Sequence, residues 1–435
     1  MGLAKNSLET LLSQCASLAV QLVIGVLIAR WLGAEGKGQL YLLVVSINMV
    51  ASFASLGLGP AAIYFIGKDR GCLPAVVTNL LVTTSIISVV VIAVGWVGVR
   101  FFQTHVYQQF PLWLWGLSAV LLPVHLVESL LMQVASALLR IRAINLITLT
   151  RSLLYLLLLV LFVRVDGAGV DGGFVAYALS VCVSTGCFAV LVLRSGGRPG
   201  APDWSLLRSS LSFGGKSYLS NTMRMLNLRL DALLVASLAS GGAVATGVYS
   251  VASNLAELIL YVPSSIRLSL FPLIAASSSA DANRLTAMAC RHTALITLLV
   301  TLGAGVGGPL IIELLYGPEF RNAIVPLFIL LPGVWLLSQS ILFYSDLDGR
   351  GRPELSVISR LLALVITVAL DLWLIPAYGI IGAAAASLCA YAAEFVVAGL
   401  LFTSCTGVTW SDLLFVRSDD LRYYLRVPWP RSLQG

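Results

Sequence analysis

Apolar residues run along this chain in blocks of about twenty, separated by short polar breaks. Twelve blocks can be marked, at about 8–29, 39–66, 75–99, 112–138, 144–163, 172–193, 211–237, 244–275, 286–314, 321–345, 354–376 and 379–402. A block of that length crosses roughly 30 Å of hydrocarbon as an α-helix. Inside a bilayer a lone segment satisfies its backbone N–H and C=O groups only as a helix. The pattern therefore predicts an all-α polytopic membrane protein with about twelve transmembrane helices.

Four of the blocks are not apolar all round. Block seven contains LSNTMRMLNLRLDALLV, residues 219–235. At about 100° per residue, Lys216, Ser220, Asn221, Arg224, Asn227 and Asp231 share a sector of roughly 140°, and Arg229 points away from it. In block eight, Ser250, Ser253, Asn254, Glu257, Tyr261, Ser264 and Ser265 share roughly 120°. Block one carries Thr10, Gln14, Ser17 and Gln21 at helical spacing, and block two carries Tyr41, Asn48, Ser52 and Ser55. A charge at the bilayer centre costs about 2.5–3.5 kcal/mol on insertion scales, so polar faces in a membrane turn to a bundle interior or a hydrated cavity. Arg224, Lys216, Asn221, Asn227 and Arg229 are the candidate substrate-binding residues, because a guanidinium grips phosphate oxygens through its planar fork. Gln14, Ser17, Gln21, Asn254 and Tyr261 are candidate cavity-lining residues. Asp231 and Glu257 are candidates for ion coupling or for pairing with these cations. The competing reading fastens helix to helix through Arg224 or Arg229 and Asp231, Glu257 or Glu128.

The polar blocks are the first two of each half, and other features repeat as well. Arg140-Ile-Arg142 and Gly169-Val-Asp-Gly172 are echoed by Arg350-Gly-Arg352 and Gly379-Ile-Ile-Gly382, 210 residues on, with Arg151 and Arg360 following. Six blocks per half is an even number, so both halves enter the membrane in the same sense, as a parallel repeat. The expected organisation is a six-helix lobe at 1–193, a cytoplasmic linker at 194–210, a second six-helix lobe at 211–402 and a cytoplasmic tail at 403–435, with a central cavity between the lobes.

Composition agrees with the pattern: 58% of the 435 residues are hydrophobic and only 11% charged, with mean hydropathy +0.94. A soluble domain has about a quarter of its residues charged. With the N-terminus inside, sixteen loop and tail cations (Lys5, Lys68, Arg70, Arg140, Arg142, Arg194, Arg198, Arg208, Arg284, Arg291, Arg350, Arg352, Arg417, Arg422, Arg426, Arg431) are cytoplasmic. Five (Arg30, Lys37, Arg100, Arg164, Arg321) are outside. The net charge of +7 thus reads as a topology signal with both termini cytoplasmic, not as a nucleic-acid footprint. The N-terminal stretch lacks the cleavage pattern of a signal peptide and is expected to stay as the first helix. The seven cysteines form no C-x-x-C pair and lie near no His cluster, so no metal, cofactor or disulfide framework is expected. His105, His125 and His292 are far apart, and no G-x-x-x-x-G-K-[ST] loop is present.

Three stretches, IARWLGAEGKGQLYLL (28–43), NLRLDALLVASLASGGAVATGVYSVASNLAELILYVPSSI (227–266) and DLDGRGRPELSVISRLLALVITVALDLWLIPAYGIIGAAAASL (346–388), resemble the bacterial oligosaccharide flippases. These form the polysaccharide-transport branch of the multidrug/oligosaccharidyl-lipid/polysaccharide exporter superfamily. The resemblance implies a V-shaped pair of six-helix lobes in a bacterial or archaeal inner membrane. It also implies export of undecaprenyl-pyrophosphate-linked sugar units by alternating access, driven by an ion gradient or the membrane potential. The implied partners are lipid-linked oligosaccharide, membrane lipid and glycan polymerase or ligase machinery. A multidrug or metabolite cation antiporter of the same fold needs an acidic cavity, against which Lys216, Arg224 and Arg229 argue. A peptidoglycan-precursor flippase is a further alternative. An enzyme such as a polymerase or ligase would need a sizeable catalytic outer loop, and the outer loops are short.

Overall fold

The computed structural model describes residues 2–105 and 112–414; the side chains of 2–15, 94–105, 112, 216–217, 268–269, 272, 275–276, 353 and 414 lie outside the description. The described chain is helical throughout, in the order α1 (Gly2–Ala54), α2 (Leu58–Lys68), α3 (Leu73–His105), α4 (Leu112–Ala137), α5 (Ile141–Leu159), α6 (Gly169–Arg194), α7 (Trp204–Leu238), α8 (Gly242–Glu257), α9 (Tyr261–Ala276), α10 (Ser279–Ile311), α11 (Ile324–Gly349), α12 (Pro353–Tyr378), α13 (Ile380–Thr406) and α14 (Trp410–Leu414).

Ten of the described helices or helix pairs are long and apolar enough to cross a membrane, against twelve expected blocks. The difference has two sources. Blocks one and two join in α1, interrupted only at Gly33, whose φ of 67° and ψ of −172° make a kink without a loop. Block seven, α7, is excluded from the ten by its composition, with Arg224, Arg229 and Asp231 inside eight residues. Counting α1 as two crossings and adding α7 restores twelve. Two blocks are also bent. The left-handed pair Leu56 (φ 46°) and Gly57 (φ 75°) divides block two between α1 and α2. A short 3₁₀ turn at Leu258–Leu260 divides block eight between α8 and α9.

The chain packs as two compact units. The first comprises Gly2–Ser237 with Gly241–Gly247, and the second Leu238–Ser240 with the chain from Val248 onward. Helix α7, which the repeat assigns to the second lobe, therefore packs with the first six-helix group; Leu233 and Ala236 lie against the core of Ile28, Leu43, Leu121, Phe174 and Val181. Two backbone crossings hold this arrangement. A Cβ on Gly38 would stand 1.8 Å from the Ala243 carbonyl oxygen, and one on Gly57 2.4 Å from that of Gly214. Only glycine permits these approaches. A second core in the same unit joins Leu58, Ile66, Val77, Leu130, Val134 and Phe188. The second unit is built around Leu342, Phe343, Phe395 and Phe402, and fully buried Leu413 of α14 joins it. The chain just beyond α13 is thus core, although residues 403–435 were expected to be tail throughout; the basic segment Arg417–Arg431 lies outside the described residues.

The 194–210 connector is tied down. Thr78 Oγ1 accepts from the Gly200 N–H at 2.8 Å, and Asn79 exchanges two hydrogen bonds with the Asp203 backbone, at 2.7 and 3.1 Å. Asp203 then caps α7: its Oδ1 accepts from the Leu206 N–H at 3.0 Å and from Ser205 Oγ at 2.7 Å. These bonds, the Leu206 N–H first, hold the Asp203 carboxyl below its ordinary range.

Candidate functional site

The polar face expected on α7 divides by height. Asn221 and Arg224 are exposed, with Arg224 Nη2 donating to Asn221 Oδ1 at 3.3 Å. About one and two turns beyond Arg224, Asn227 and Asp231 are each only 3% exposed, and Asp231 Oδ1 accepts from the Ala232 N–H at 2.7 Å. Arg229, off that face, is half-buried and donates to the Tyr41 hydroxyl at 3.2 Å, fastening α7 to α1. On α8 and α9, Asn254 and Tyr261 are exposed, Glu257 is half-buried, and Ser250 and Ser253 are buried. On α1, Gln21 is exposed and Ser17 buried. The side chains of Gln14 and Lys216 lie outside the description. The structure thus brings Asn221 to Arg224 and Arg229 to Tyr41, and it places Asp231 on the inner side of α7. An exposed guanidinium on a membrane helix needs water or an anion beside it.

A denser polar cluster lies inside the first unit. Glu128, 4% exposed, sits on α4 amid partners from three elements. Arg151 Nη1 from α5 reaches both carboxylate oxygens at 3.1 Å. Ser184 from α6 donates to Oε1 at 2.5 Å, and His125 Nδ1 lies 3.1 Å from Oε2. His125 Nε2 lies 3.0 Å from Asn48 Oδ1 on α1. Beneath Arg151 is the Tyr177 ring, 5.6 Å from the guanidinium carbon, a cation–π contact. A buried carboxylate is tolerated only when paired and fully hydrogen-bonded, and Glu128 meets that condition.

The second unit holds an arginine–tyrosine–glutamate group of its own. Arg360 of α12 lies over the Tyr344 ring at 4.0 Å, and the Tyr344 hydroxyl donates to Glu394 Oε1 at 2.8 Å. All three are buried. In the first unit the glutamate comes from the fourth span and the tyrosine from the sixth. In the second unit the tyrosine comes from the tenth and the glutamate from the twelfth. The arginine stands on the fifth and the eleventh, so the two groups share their ingredients with glutamate and tyrosine exchanged. A separate cluster joins Asp346 to Arg350 and to Thr286 Oγ1, while Arg350 Nη2 donates to Asn283 Oδ1 at 2.6 Å. Sequence offered one usable signal for the first cluster: His125 and Glu128 stand at i, i+3 on one helix face.

The repeat is visible in local geometry. Leu139 (φ 57°) and Gly351 (φ 77°) end α4 and α11 in left-handed conformation. The next N–H, of Arg140 or Arg352, bonds the carbonyl five residues back, Ala135 or Leu347. Arg140 rather than Arg142 thus matches Arg352, at an offset of 212. Gly169 (φ 58°) and Gly379 (φ 57°) match at 210.

Residues 3–278 match the family model described as polysaccharide biosynthesis protein. No curated protein matches the chain. Among solved structures, the fold is similar to an inward-facing multidrug resistance MATE family transporter of the MOP superfamily, at 18% identity and TM-score 0.71, over 90% of this chain and 94% of that one. It is similar also to a MOP superfamily transporter from Pyrococcus furiosus, described by the reverse polarity of its binding pocket, at 17% identity and TM-score 0.69, over 93% and 96%. A Vibrio cholerae MATE transporter in the bent form aligns at 18% identity and TM-score 0.61, over 93% and 96%.

Proposed function

This chain belongs to the polysaccharide biosynthesis protein family, and we propose that it is a flippase for undecaprenyl-pyrophosphate-linked oligosaccharide units. It carries them from the inner to the outer leaflet of the cytoplasmic membrane by alternating access, driven by an ion gradient or the membrane potential. Both termini are cytoplasmic, and glycan polymerase or ligase machinery takes the product. The fold is that of multi-pass transporters, and the family's description supplies the glycan context.

The observation that carries the reading is Arg224. It is exposed on a membrane helix, where its Nη2 donates to the neutral Asn221 amide at 3.3 Å. A pyrophosphate offers the oxygens its fork fits. Asp231, by contrast, is buried, so the exposed part of this face presents a cation and an amide. The same scaffold tolerates pockets of different polarity, as the description of the Pyrococcus furiosus transporter indicates. Asn221 supplies an amide suited to sugar hydroxyls.

Complementation of a flippase-deficient strain tests this, with membrane abundance measured in parallel. Losing one charge-assisted bond costs about 1.5–3 kcal/mol. Arg224→Gln should therefore lose most export at normal abundance, and Arg224→Lys should recover only part, keeping charge without the fork. Full export by Arg224→Gln, or a loss accounted for by low abundance, overturns the assignment.

A further inference from the structure

We propose that His125 is a proton-binding site whose occupancy decides whether α1 is clasped to α4. The proposal deepens the transport reading above, on which it rests for the use of the proton, and it names the coupling ion.

Both ring nitrogens of His125 face acceptor oxygens. Nδ1 faces the Glu128 carboxylate at 3.1 Å, and Nε2 faces Asn48 Oδ1 at 3.0 Å. The amide orientation of Asn48 is fixed by its other end, where Nδ2 donates to the Val44 carbonyl at 2.7 Å. A carboxylate oxygen and an amide oxygen can only accept. A neutral imidazole has one N–H and can satisfy one of them; the imidazolium satisfies both. The geometry is that of the doubly protonated ring.

Glu128 cannot supply the missing proton, because its oxygens accept from Arg151 and Ser184. With the proton bound, the cluster holds two cations, His125 and Arg151, and one anion. Without it, the charges balance. The low-dielectric surroundings favour release of the net charge, and the two facing acceptors favour retention. Imidazole is the side chain whose ordinary charge change falls between about pH 5 and 8. The Nδ1–H faces a full negative charge, so the Nε2–H is the one released. Its bonding pair stays on Nε2 as a lone pair, the proton leaves to water, and nothing is oxidised or reduced. That lone pair then opposes those of Asn48 Oδ1, and the clasp between α1 and α4 is lost.

The facing groups are few. Asn48 comes from α1, Glu128 from α4 itself, Arg151 and Tyr155 from α5, and Tyr177 from α6, its ring 5.7 Å from that of Tyr155. Helix α3 carries no charge before Arg100, and the charge of α2 is Lys68 in its last turn.

The test uses the full chain in lipid nanodiscs with ¹⁵N-labelled histidine. Three histidines give three signals, and any two of H105Q, H125Q and H292Q assign the third. The His125 signal should show both nitrogens protonated in acid and lose the Nε2 proton on the alkaline side. Asn48→Leu, which removes the acceptor facing Nε2, should give the singly protonated ring where the wild type is doubly protonated. A wild-type ring that stays neutral throughout, or a ring in Asn48→Leu identical to wild type, overturns the site. In proteoliposomes, the wild type should move protons during lipid-linked glycan transfer and H125Q should not. Equal proton movement by H125Q refutes coupling at His125. Absence of glycan transfer by the wild type refutes the flippase reading instead, and the histidine signal still decides the proton site.

Discussion

Removing the Glu128 carboxylate should be among the most damaging single changes in the first unit. Glu128→Ala leaves the Arg151 guanidinium, the His125 Nδ1–H and the Ser184 hydroxyl without the acceptor they share. Breaking a buried ion pair from one side costs about 3–5 kcal/mol. The Arg151 side chain is 26% exposed against 5% for Glu128, so water reaches the orphaned cation in part. That places the expected loss near the lower end, about 3 kcal/mol. Glu128→Gln keeps an acceptor and the shape but loses the charge, and should fall between the alanine variant and wild type. The pair Glu128→Leu with Arg151→Met removes both charges together, and apolar replacement of a whole buried pair is often neutral or stabilising. The assay is the temperature at which half the purified protein loses monodispersity in detergent. The expected order is Glu128→Ala lowest, Glu128→Gln next, and the double variant close to wild type. A stable Glu128→Ala protein, or a double variant as weak as Glu128→Ala, would refute the view of Glu128 as the paired anion at the centre of this cluster.

Three further outcomes follow from the glycine crossing and from the docked connector. Gly38→Ala and Gly247→Ala should each separate α1 from α8, because the added methyl meets backbone oxygen at 1.8 and 1.9 Å and neither neighbour can rotate away; a cysteine pair at Ala34 and Ala243 should lose its crosslinking yield in either variant. The connector should stay docked through Asn79 and Asp203. Asn79→Ala should speed amide hydrogen exchange at Asp203, whose N–H donates to Asn79 Oδ1. Asp203 has its folded carboxyl held low, so its cap on α7 is present above the ordinary carboxylate range and lost as pH falls through the folded value; exchange at Leu206 should accelerate only on the acid side.

What the sequence determined by itself was everything that depends on the solvent. Runs of twenty apolar residues, few charges and cations gathered in alternate loops make a multi-pass helical membrane protein, because lipid permits a lone segment nothing else. The repeat was legible for the same local reason: Gly169 and Gly379 take a backbone conformation that favours glycine, so the letter marks the turn. Where the turn can be made by other residues, the letters mislead, and Leu139 holds the place of Gly351 two positions from where the arginines suggested. Periodicity found the polar face of α7, since 100° per residue is fixed by the helix. It could not say that Arg224 is exposed while Asp231 is buried, because depth along one face is set by the neighbours that cover it. Nor could it bring Asn48, His125, Glu128, Arg151 and Ser184 together. They stand on four helices, up to 136 positions apart, and their meeting is decided by the crossings of α1, α4, α5 and α6. A buried charge is affordable only where partners from several elements converge, and that convergence is a property of packing alone.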